Sequence, residues 1–350
     1  MDECSSQFEK RKRDHIRISL DPRSQATGAS GLDSIRLIHE ALPELNFQDI
    51  SINTKFGVHC LKSPLFISSM TAGHEEGVSI NRALAQLSQE RQILMGVGSQ
   101  RRELTDISAS SEWKEIRRDF PGAFLLANVG ISQVIKHSTT EIIRLIENVG
   151  AVGLFVHLNA LQECLQPEGT PEFRGAFQAL EALVKVCPVP VIIKETGCGF
   201  SEATLVKLSQ LPLGAIDLSG LGGTHWGRVE GYRSDEDSLL YQVAHTFSEW
   251  GHSTVDSLKN SIELKGRLPI WASGGIRNGL DIIKVMAMGA KMAGMAQPIL
   301  ARALQSGDVN ANLHQLIDKI EYEMKVALFC TGTADLAILS QKRVWEWQKN

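Results

Sequence analysis

The sequence predicts an α/β protein, a (β/α)8 TIM barrel with an N-terminal extension. Eight short apolar segments follow one another between residues 65 and 296. Longer amphipathic segments separate them, as serial β/α units require. No G-x-G-x-x-G turn follows an early strand, which disfavours a doubly wound sheet, the main rival for such alternation.

In chain order the strand segments are LFISSM (65–70), LMGVGS (94–99), FLLANVG (124–130), VGLFVHLN (152–159), VPVIIKE (189–195), GAIDLSG (214–220), LPIWASGG (268–275) and KMAGMA (291–296). Each is the short apolar run expected of a strand covered on both faces. Between them SINRALAQLSQERQ, EIIRLIENVG, AFQALEALVKV and NGLDIIKVMAMG place apolar residues at i, i+3, i+4 and i+7, the stripe of a helix packed on a sheet. Ser79, Thr140, Ser201 and Asn278 stand where N-caps are expected. Residues 1–64 form the extension, expected to cover the barrel mouth, with a helix near 31–42 and short strands near 47–62. Residues 225–250, which include GRVEGYRSDEDS, read as a polar insertion after the sixth strand and so as a lid loop.

A formal net charge of −4 over 350 residues gives no global basic field, so nucleic acid is not an expected partner. The six cysteines (Cys4, Cys60, Cys164, Cys187, Cys198 and Cys330) include no C-x-x-C pair and no zinc-like spacing. In so long a chain they read as free thiols in a reducing compartment. MDECSSQFEKRKRDH has no apolar signal core, and no run approaches the roughly 18 apolar residues of a membrane span. The expectation is a cytoplasmic protein that does not enter the membrane.

Barrel active sites lie at the C-terminal ends of the strands. Here those ends read SSMTAG, GVGSQR, ANVG, HLNALQE, IIKETG, DLSGLGGT, ASGGIR and GMAQP, polar or glycine-rich almost throughout. A purely structural barrel has no need of this, because unpaired buried polar groups cost free energy. Gly274 and Gly275 allow close backbone approach to a phosphate at the rim where barrels often bind one, and Gly222, Gly223 and Thr224 complete a cup. Lys194 ends the apolar run VPVIIK, and a buried ammonium needs an anion or several acceptors. Either a structural carboxylate or a reduced flavin ring satisfies it.

RKRDH (11–15) is a solvated charge run unless the extension folds over the mouth. In that case it joins Arg101 in clamping a diphosphate, a task suited to arginine. Glu163 is a single carboxylate, enough for Mg²⁺ only with waters and substrate phosphates. Trp250 and Trp271 read as core, and Trp226 as a rim contact because it follows GGTH. His74, His137 and His225 carry no assignment.

Taken in order, these motifs resemble the FMN-dependent, type 2, isopentenyl-diphosphate isomerases. The resemblance runs from RKRDHI (11–16) to LFCTGTADL (328–336), through SSMTAG, GSQR, HLNALQE with PEG, VIIKETGCG, DLSGLGGTHWGRVE, EWGHST, ASGGIRNGLDIIK and GMAQPIL. SGGIR occurs in many FMN barrels; the ordered set is specific. The resemblance implies an FMN-binding barrel over 65–350 and a homo-oligomer, tetramer or octamer. It implies FMN contacts at Met70, Thr71, Ala72, Ser99, Asn128, Lys194, Ser219 and Thr224, with Gly275, Ile276, Arg277, Ala296 and Gln297 around the FMN phosphate. Arg11, Lys12, Ser99, Gln100 and Arg101 are implied to grip the substrate diphosphate, and His157, Asn159 and Gln162 to face the substrate. Glu163 is implied to hold Mg²⁺, and Glu230 to reach the reactive centre from the lid. Two positions depart from the family pattern: Ala72 where M-T-G-G is usual and Thr170 where P-E-G-D is usual.

The implied reaction interconverts isopentenyl and dimethylallyl diphosphate. Reduced FMN would serve as the acid–base cofactor, NADPH only as its reductant, and Lys194, His157, Gln162 and Glu230 would act at the reacting centre. Whether His157 moves a proton or orients the substrate stays open at this point. A 2-hydroxy-acid oxidase would carry an H-G-G-R-type loop that SGGIRN lacks, and a nucleotide dehydrogenase a cysteine that GLGGTH lacks. A non-catalytic flavin-binding barrel would have no use for Lys194, Glu163 and Glu230 together.

Overall fold

The structure is a computed structural model that describes residues 3–70, 75–264 and 266–348. Eight parallel strands close a barrel: β1 (Leu65–Ile67), β2 (Leu94–Gly96), β3 (Phe124–Gly130), β4 (Gly153–His157), β5 (Val191–Lys194), β6 (Ala215–Asp217), β7 (Ile270–Ser273) and β8 (Met292–Met295). Each lies inside one of the eight apolar segments. The ring closes where Gly294 of β8 pairs with Phe66 of β1.

The period of two along each strand sorts the interior into layers. Phe66, Leu94, Leu126, Phe155, Ile192, Ala215, Trp271 and Met292, one from every strand, form a buried apolar cluster. Two residues further on stand Ser68, Gly96, Asn128, His157, Lys194, Asp217, Ser273 and Gly294, polar or glycine in every case. Burying each large member of the lower layer contributes about 1.5–3 kcal/mol. That layer holds the barrel together and carries above it a polar layer whose burial is unfavourable.

The extension divides between the two ends of the barrel. A hairpin of strands Thr54–Phe56 and His59–Leu61 closes the floor: Phe56 and Leu61 join the lower apolar layer, and Phe56 packs edge-on to Trp271 at 5.4 Å. The helix α1 (Glu3–Ser19) instead reaches the opposite end, where His15 meets Glu230. The helix expected near 31–42 does not form. A single 3-10 turn, Leu32–Ser34, leads into strand Ile35–Leu37, which pairs antiparallel with Trp345–Trp347. Tertiary pairing with the far end of the chain overrides the local periodicity.

Two expected caps are corrected. Ser79 lies inside helix Glu75–Arg91, and Thr140 is preceded by the true cap, Ser138, which forms a capping box with Glu141. Ser201 and Asn278 cap as expected, accepting from the backbone N–H of Thr204 and Asp281. The expected lid loop is two helices, α2 (Trp226–Arg233) and α3 (Leu239–Thr246), capped by the side chains of His225 and Ser238. Trp271 is buried in the barrel, but Trp250 is 60% exposed and is not core. The described cysteines are free thiols. Among the described residues no helix is long and apolar enough to cross a membrane.

Candidate active site

The polar layer supplies the centre of the site. His157, Lys194 and Asp217 end β4, β5 and β6 in register, His157 beside Lys194 and Lys194 beside Asp217. His157 Nδ1 lies 2.9 Å from Asn128 Oδ1, and the Asn128 amide is oriented by donating from Nδ2 to Val97 O at 3.1 Å. Asn128 Oδ1 can only accept, so Nδ1 carries the hydrogen and Nε2 keeps its lone pair. Burial, with Lys194 and Lys12 adding repulsion, pulls the imidazole pKa down to about 3, so His157 is neutral at physiological pH.

Lys194 is buried, and its Nζ donates to Glu195 O at 2.6 Å. Burial pulls its pKa down, while Asp217 and Glu195 pull it back. Asp217 is 0% exposed and accepts from Ser273 Oγ at 2.8 and 3.0 Å. Burial pushes the Asp217 carboxyl up, opposed by Lys194 and Ser273. Sequence reasoning missed Asp217, which sits inside an otherwise ordinary strand, AIDLSG.

Beside this centre Ser69, Thr196, Ser219, Thr224, Gly275 and Gln297 line a cavity together with Lys194. Ile276, Arg277 and Ala296 border the same cavity. Arg277 straps the cup, donating to Gly275 O at 2.7 Å and Gly222 O at 2.9 Å. Gly274 has φ +97°, and a Cβ there would stand 2.0 Å from Gly220 O. Ser68 Oγ and Ser69 Oγ are buried without a hydrogen-bond partner among the described residues. Orphaned hydroxyls beside a glycine cradle fit a flavin with its phosphate. Met70, Ser99 and Asn128 line the adjoining space. Thr71, Ala72 and His74 lie outside the described residues.

Gly274→Ala is expected to cost about 1–3 kcal/mol of stability or more and to empty the cup of FMN. Flavin absorbance of the purified variant, read beside its thermal melt, checks this. Stoichiometric flavin in a folded variant would remove the cradle assignment.

The adjoining cavity opens to the mouth and is lined by Arg11, Lys12, His15, Arg101, Asn159 and Gln162, with Glu163 and Trp226. Glu230 of α2 is its electrostatic hub, at 0% exposure. His15 Nε2 lies 3.0 Å from Glu230 Oε1, Gln162 Nε2 donates to the same oxygen at 2.9 Å, and Arg233 donates to Oε2. Burial alone would push the Glu230 carboxyl up, but His15, Arg233 and Gln162 together hold it down at about 2. Glu168 accepts from Arg233 at 3.3 Å, and its backbone oxygen and Thr170 Oγ1 receive Arg101 at 3.5 and 3.4 Å. Burial and the neighbouring Arg11 bring the Lys12 pKa down to about 7. The His15 ring stacks edge-on to Trp226 at 5.0 Å. The role of His15 was not legible in sequence, because α1 has no apolar stripe to announce it, and that of Arg233 was not because it lies in a segment that read as a polar loop.

Glu163 is buried and accepts from Asn159 Nδ2 at 2.9 Å and from the Thr170 backbone N–H. Asn159 Oδ1 is buried without a partner beside it. Among the described residues no group of three or more His, Cys, Asp or Glu forms a metal cage. One carboxylate and an open amide oxygen fit a Mg²⁺ that keeps waters and takes diphosphate oxygens.

Gln100 does not join the mouth. Its amide donates to Glu103 Oε1 and Leu145 O, both at 3.1 Å, and accepts from the Asn128 N–H at 3.0 Å. Both polar atoms of its side chain are engaged in bracing β3, and Arg101 beside it is the one that lines the mouth. His225 is the N-cap of α2 and bonds Trp250 O at 3.1 Å, also structural. His137 pairs with Glu141 at 3.3 Å at a helix start.

Comparison with known proteins agrees with this geometry. Residues 169–346 match the FMN-dependent dehydrogenase family. The isopentenyl-diphosphate delta-isomerase of Bdellovibrio bacteriovorus is 58% identical over 348 residues, spanning 98% of this chain and 99% of the relative. That of Legionella pneumophila is 49% identical, spanning 96% and 98%, and that of Nostoc sp. 40% identical, spanning 95% and 94%. Among solved structures, a flavocytochrome b2 variant superposes with a TM-score of 0.68 at 17% identity, over 95% of this chain and 82% of the other. A mandelate oxidase variant bound to (S)-mandelic acid gives 0.65 at 15% identity, over 99% of both chains. At such identities the structures share the barrel and nothing about activity follows from them. Near-full-length identity to the isomerases, together with the flavin-sized cup and the cationic mouth, places this chain in the FMN-dependent, type 2, isopentenyl-diphosphate delta-isomerase family.

Proposed function

We propose that the protein interconverts isopentenyl diphosphate and dimethylallyl diphosphate by a 1,3-allylic shift of the double bond, with FMN in the cup, Mg²⁺ at Glu163 and NADPH as the reductant that prepares the flavin. The observation that supports this most directly is the adjacency of two unlike cavities, a glycine-lined cup beside Lys194 and a mouth ringed by Arg11, Lys12 and Arg101. Reduced FMN supplies the acid–base group that ordinary side chains lack for unactivated carbon, with no net redox change.

The chain's own residues then bind and orient. Arg11, Lys12 and Arg101 anchor the diphosphate, and this remote binding energy fixes the alkene at the barrel centre. Lys194, which lines the cup, would supply a counter-charge to a reduced flavin bound there. His157, neutral and with only a lone pair at Nε2, orients the substrate and has no proton to give from that atom. Gln162 is turned by its bond to Glu230, which stays ionised and keeps α1 seated through His15. Ser99 and Asn159 line the mouth cavity beside these residues.

Anaerobic incubation with FMN, NADPH, Mg²⁺ and isopentenyl diphosphate tests the reading. Dimethylallyl diphosphate should form with NADPH consumed only once per flavin. Absence of product with reduced flavin bound would refute it, and stoichiometric NADPH consumption would favour an oxidoreductase. Glu163→Gln is expected to raise the Mg²⁺ concentration for half-maximal rate by about 10–100-fold, since one of the ion's few protein ligands is weakened. A Mg²⁺ titration at saturating substrate checks this.

Assembly as a homo-oligomer, tetramer or octamer, accords with an exposed apolar groove formed by Ile38, Leu280, Tyr322 and Val326. The free cysteines accord with a cytoplasmic location.

A further inference from the structure

The geometry points to Asp217 as a positioning residue that keeps the Lys194 ammonium charged beside the flavin cup. This rests on the reading that the cup beside Lys194 holds FMN. A carboxylate at the centre of a barrel is costly, and a structural barrel gains nothing from it. Asp217 nevertheless stands 0% exposed one strand over from Lys194, at the same register, so both side chains point inward in the same layer. Ser273 from the next strand donates to both of its oxygens, at 2.8 and 3.0 Å. This bond anchors the carboxylate to β7 within the polar layer.

The charged and titratable groups around Lys194 are few. From β4 comes His157, held neutral by burial and by the nearby Lys194, so it brings no counter-charge to the ammonium. Following β5 comes Glu195, whose carboxylate is turned outward to the backbone N–H groups of Thr196 and Cys198, at 2.6 Å each. From β6 comes Asp217, and β7 contributes only the Ser273 hydroxyl. Phe155, on Lys194's inner side, lies 6.0 Å from Nζ. Asp217 is therefore the inner-layer carboxylate that does most to offset the burial of Lys194, with the Glu195 charge adding to it. Without it the ammonium gives up its proton at lower pH, and an anionic ring in the cup loses its counter-charge.

The test is the pH dependence of the midpoint potential of bound FMN between pH 6 and 9, in the FMN-loaded protein and in Asp217→Asn, Lys194→Met and the double variant. In the parent the stabilisation of reduced FMN should persist to higher pH. In Asp217→Asn the break should move down by about one pH unit or more. Lys194→Met should show no break, and adding Asp217→Asn to it should change nothing further, which a merely structural role would not produce. A parent-like profile in Asp217→Asn beside an altered one in Lys194→Met overturns the proposal and leaves the site reading intact. A parent-like profile in Lys194→Met removes the site reading and the proposal together. Should Asp217→Asn not fold, Ser273→Ala decides. Stripped of its donor, Asp217 competes for the proton, and a smaller shift of the same sign supports the proposal while no shift overturns it.

Discussion

Lys194→Met is expected to lower kcat for isomerisation by about 10²–10³-fold, with FMN still bound and the substrate KM within a few-fold of the parent. The size follows from where the charge sits. Nζ is aimed into a buried layer, held by Glu195 O at 2.6 Å, where a fixed charge acts without the screening of water. Binding should survive because the phosphate cup, built by the loops after β6, β7 and β8, makes no use of Lys194. Substrate affinity should survive because the diphosphate anchors lie on α1 and at Arg101. Stability should fall little: Asp217, already pushed toward its neutral form by burial, can take up a proton once its cation is gone. Steady-state kinetics, a flavin absorbance spectrum and a thermal melt on one preparation check all three parts. A variant that turns over at the parent rate would remove Lys194 from the chemistry, and one that loses FMN would make it a binding residue instead.

The barrel was legible because parallel strands covered on both faces read as uninterrupted apolar runs, and eight of them at β/α spacing admit few other architectures. The polar layer was legible for a related reason. In VGLFVHLN the inward residue after Phe155 is His157, and in VPVIIKE the one after Ile192 is Lys194, so the period of two marks where the core turns polar. What stayed hidden depends on contacts between distant residues. His15 and Glu230 are 215 positions apart, and nothing local in ECSSQFEKRKRDHIRIS says that a charged segment will seat as a helix over the mouth. The strand Ile35–Leu37 looked helical because its partner, Trp345–Trp347, lies at the other end of the chain. Gln100 stands next to Arg101 in sequence, yet its side chain turns to Leu145 and Glu103 while the arginine turns to Glu168. A 3-10 turn over Arg101–Leu104 separates the two directions, a local detail with no compositional signal. Residue type and spacing therefore placed the layer and the rim; which neighbour of a rim residue faces the ligand was decided by backbone geometry.

Lys12→Ala should raise the KM for isopentenyl diphosphate by about 30-fold or more, corresponding to the roughly 2–5 kcal/mol lost when one partner of a desolvated charge pair is truncated, while FMN binding is unchanged. The argument is electrostatic. In the ligand-free protein Lys12 shares the mouth with Arg11 and Arg101, and burial plus their repulsion bring its pKa to about 7 from the ordinary 10.5. A diphosphate reverses that balance, so above pH 7 binding draws a proton onto Lys12. Affinity for the diphosphate should then weaken as pH rises from about 7 toward 10, and this slope should be absent in Lys12→Ala. Stability has the opposite sign. A lysine whose folded pKa lies below its unfolded one binds fewer protons when folded. The free protein should therefore gain stability as pH rises through that same window, and diphosphate should cancel the gain. Arg11 cannot substitute, because a guanidinium stays charged throughout and has no proton to exchange at these pH values. Calorimetric titration of inorganic diphosphate into the FMN-loaded protein, in two buffers of different ionisation enthalpy, counts the protons taken up. Uptake that persists unchanged in Lys12→Ala would place the titrating group elsewhere and return RKRDH to an ordinary solvated run. Loss of FMN in the same variant would mean that α1 seats the cofactor and not the substrate.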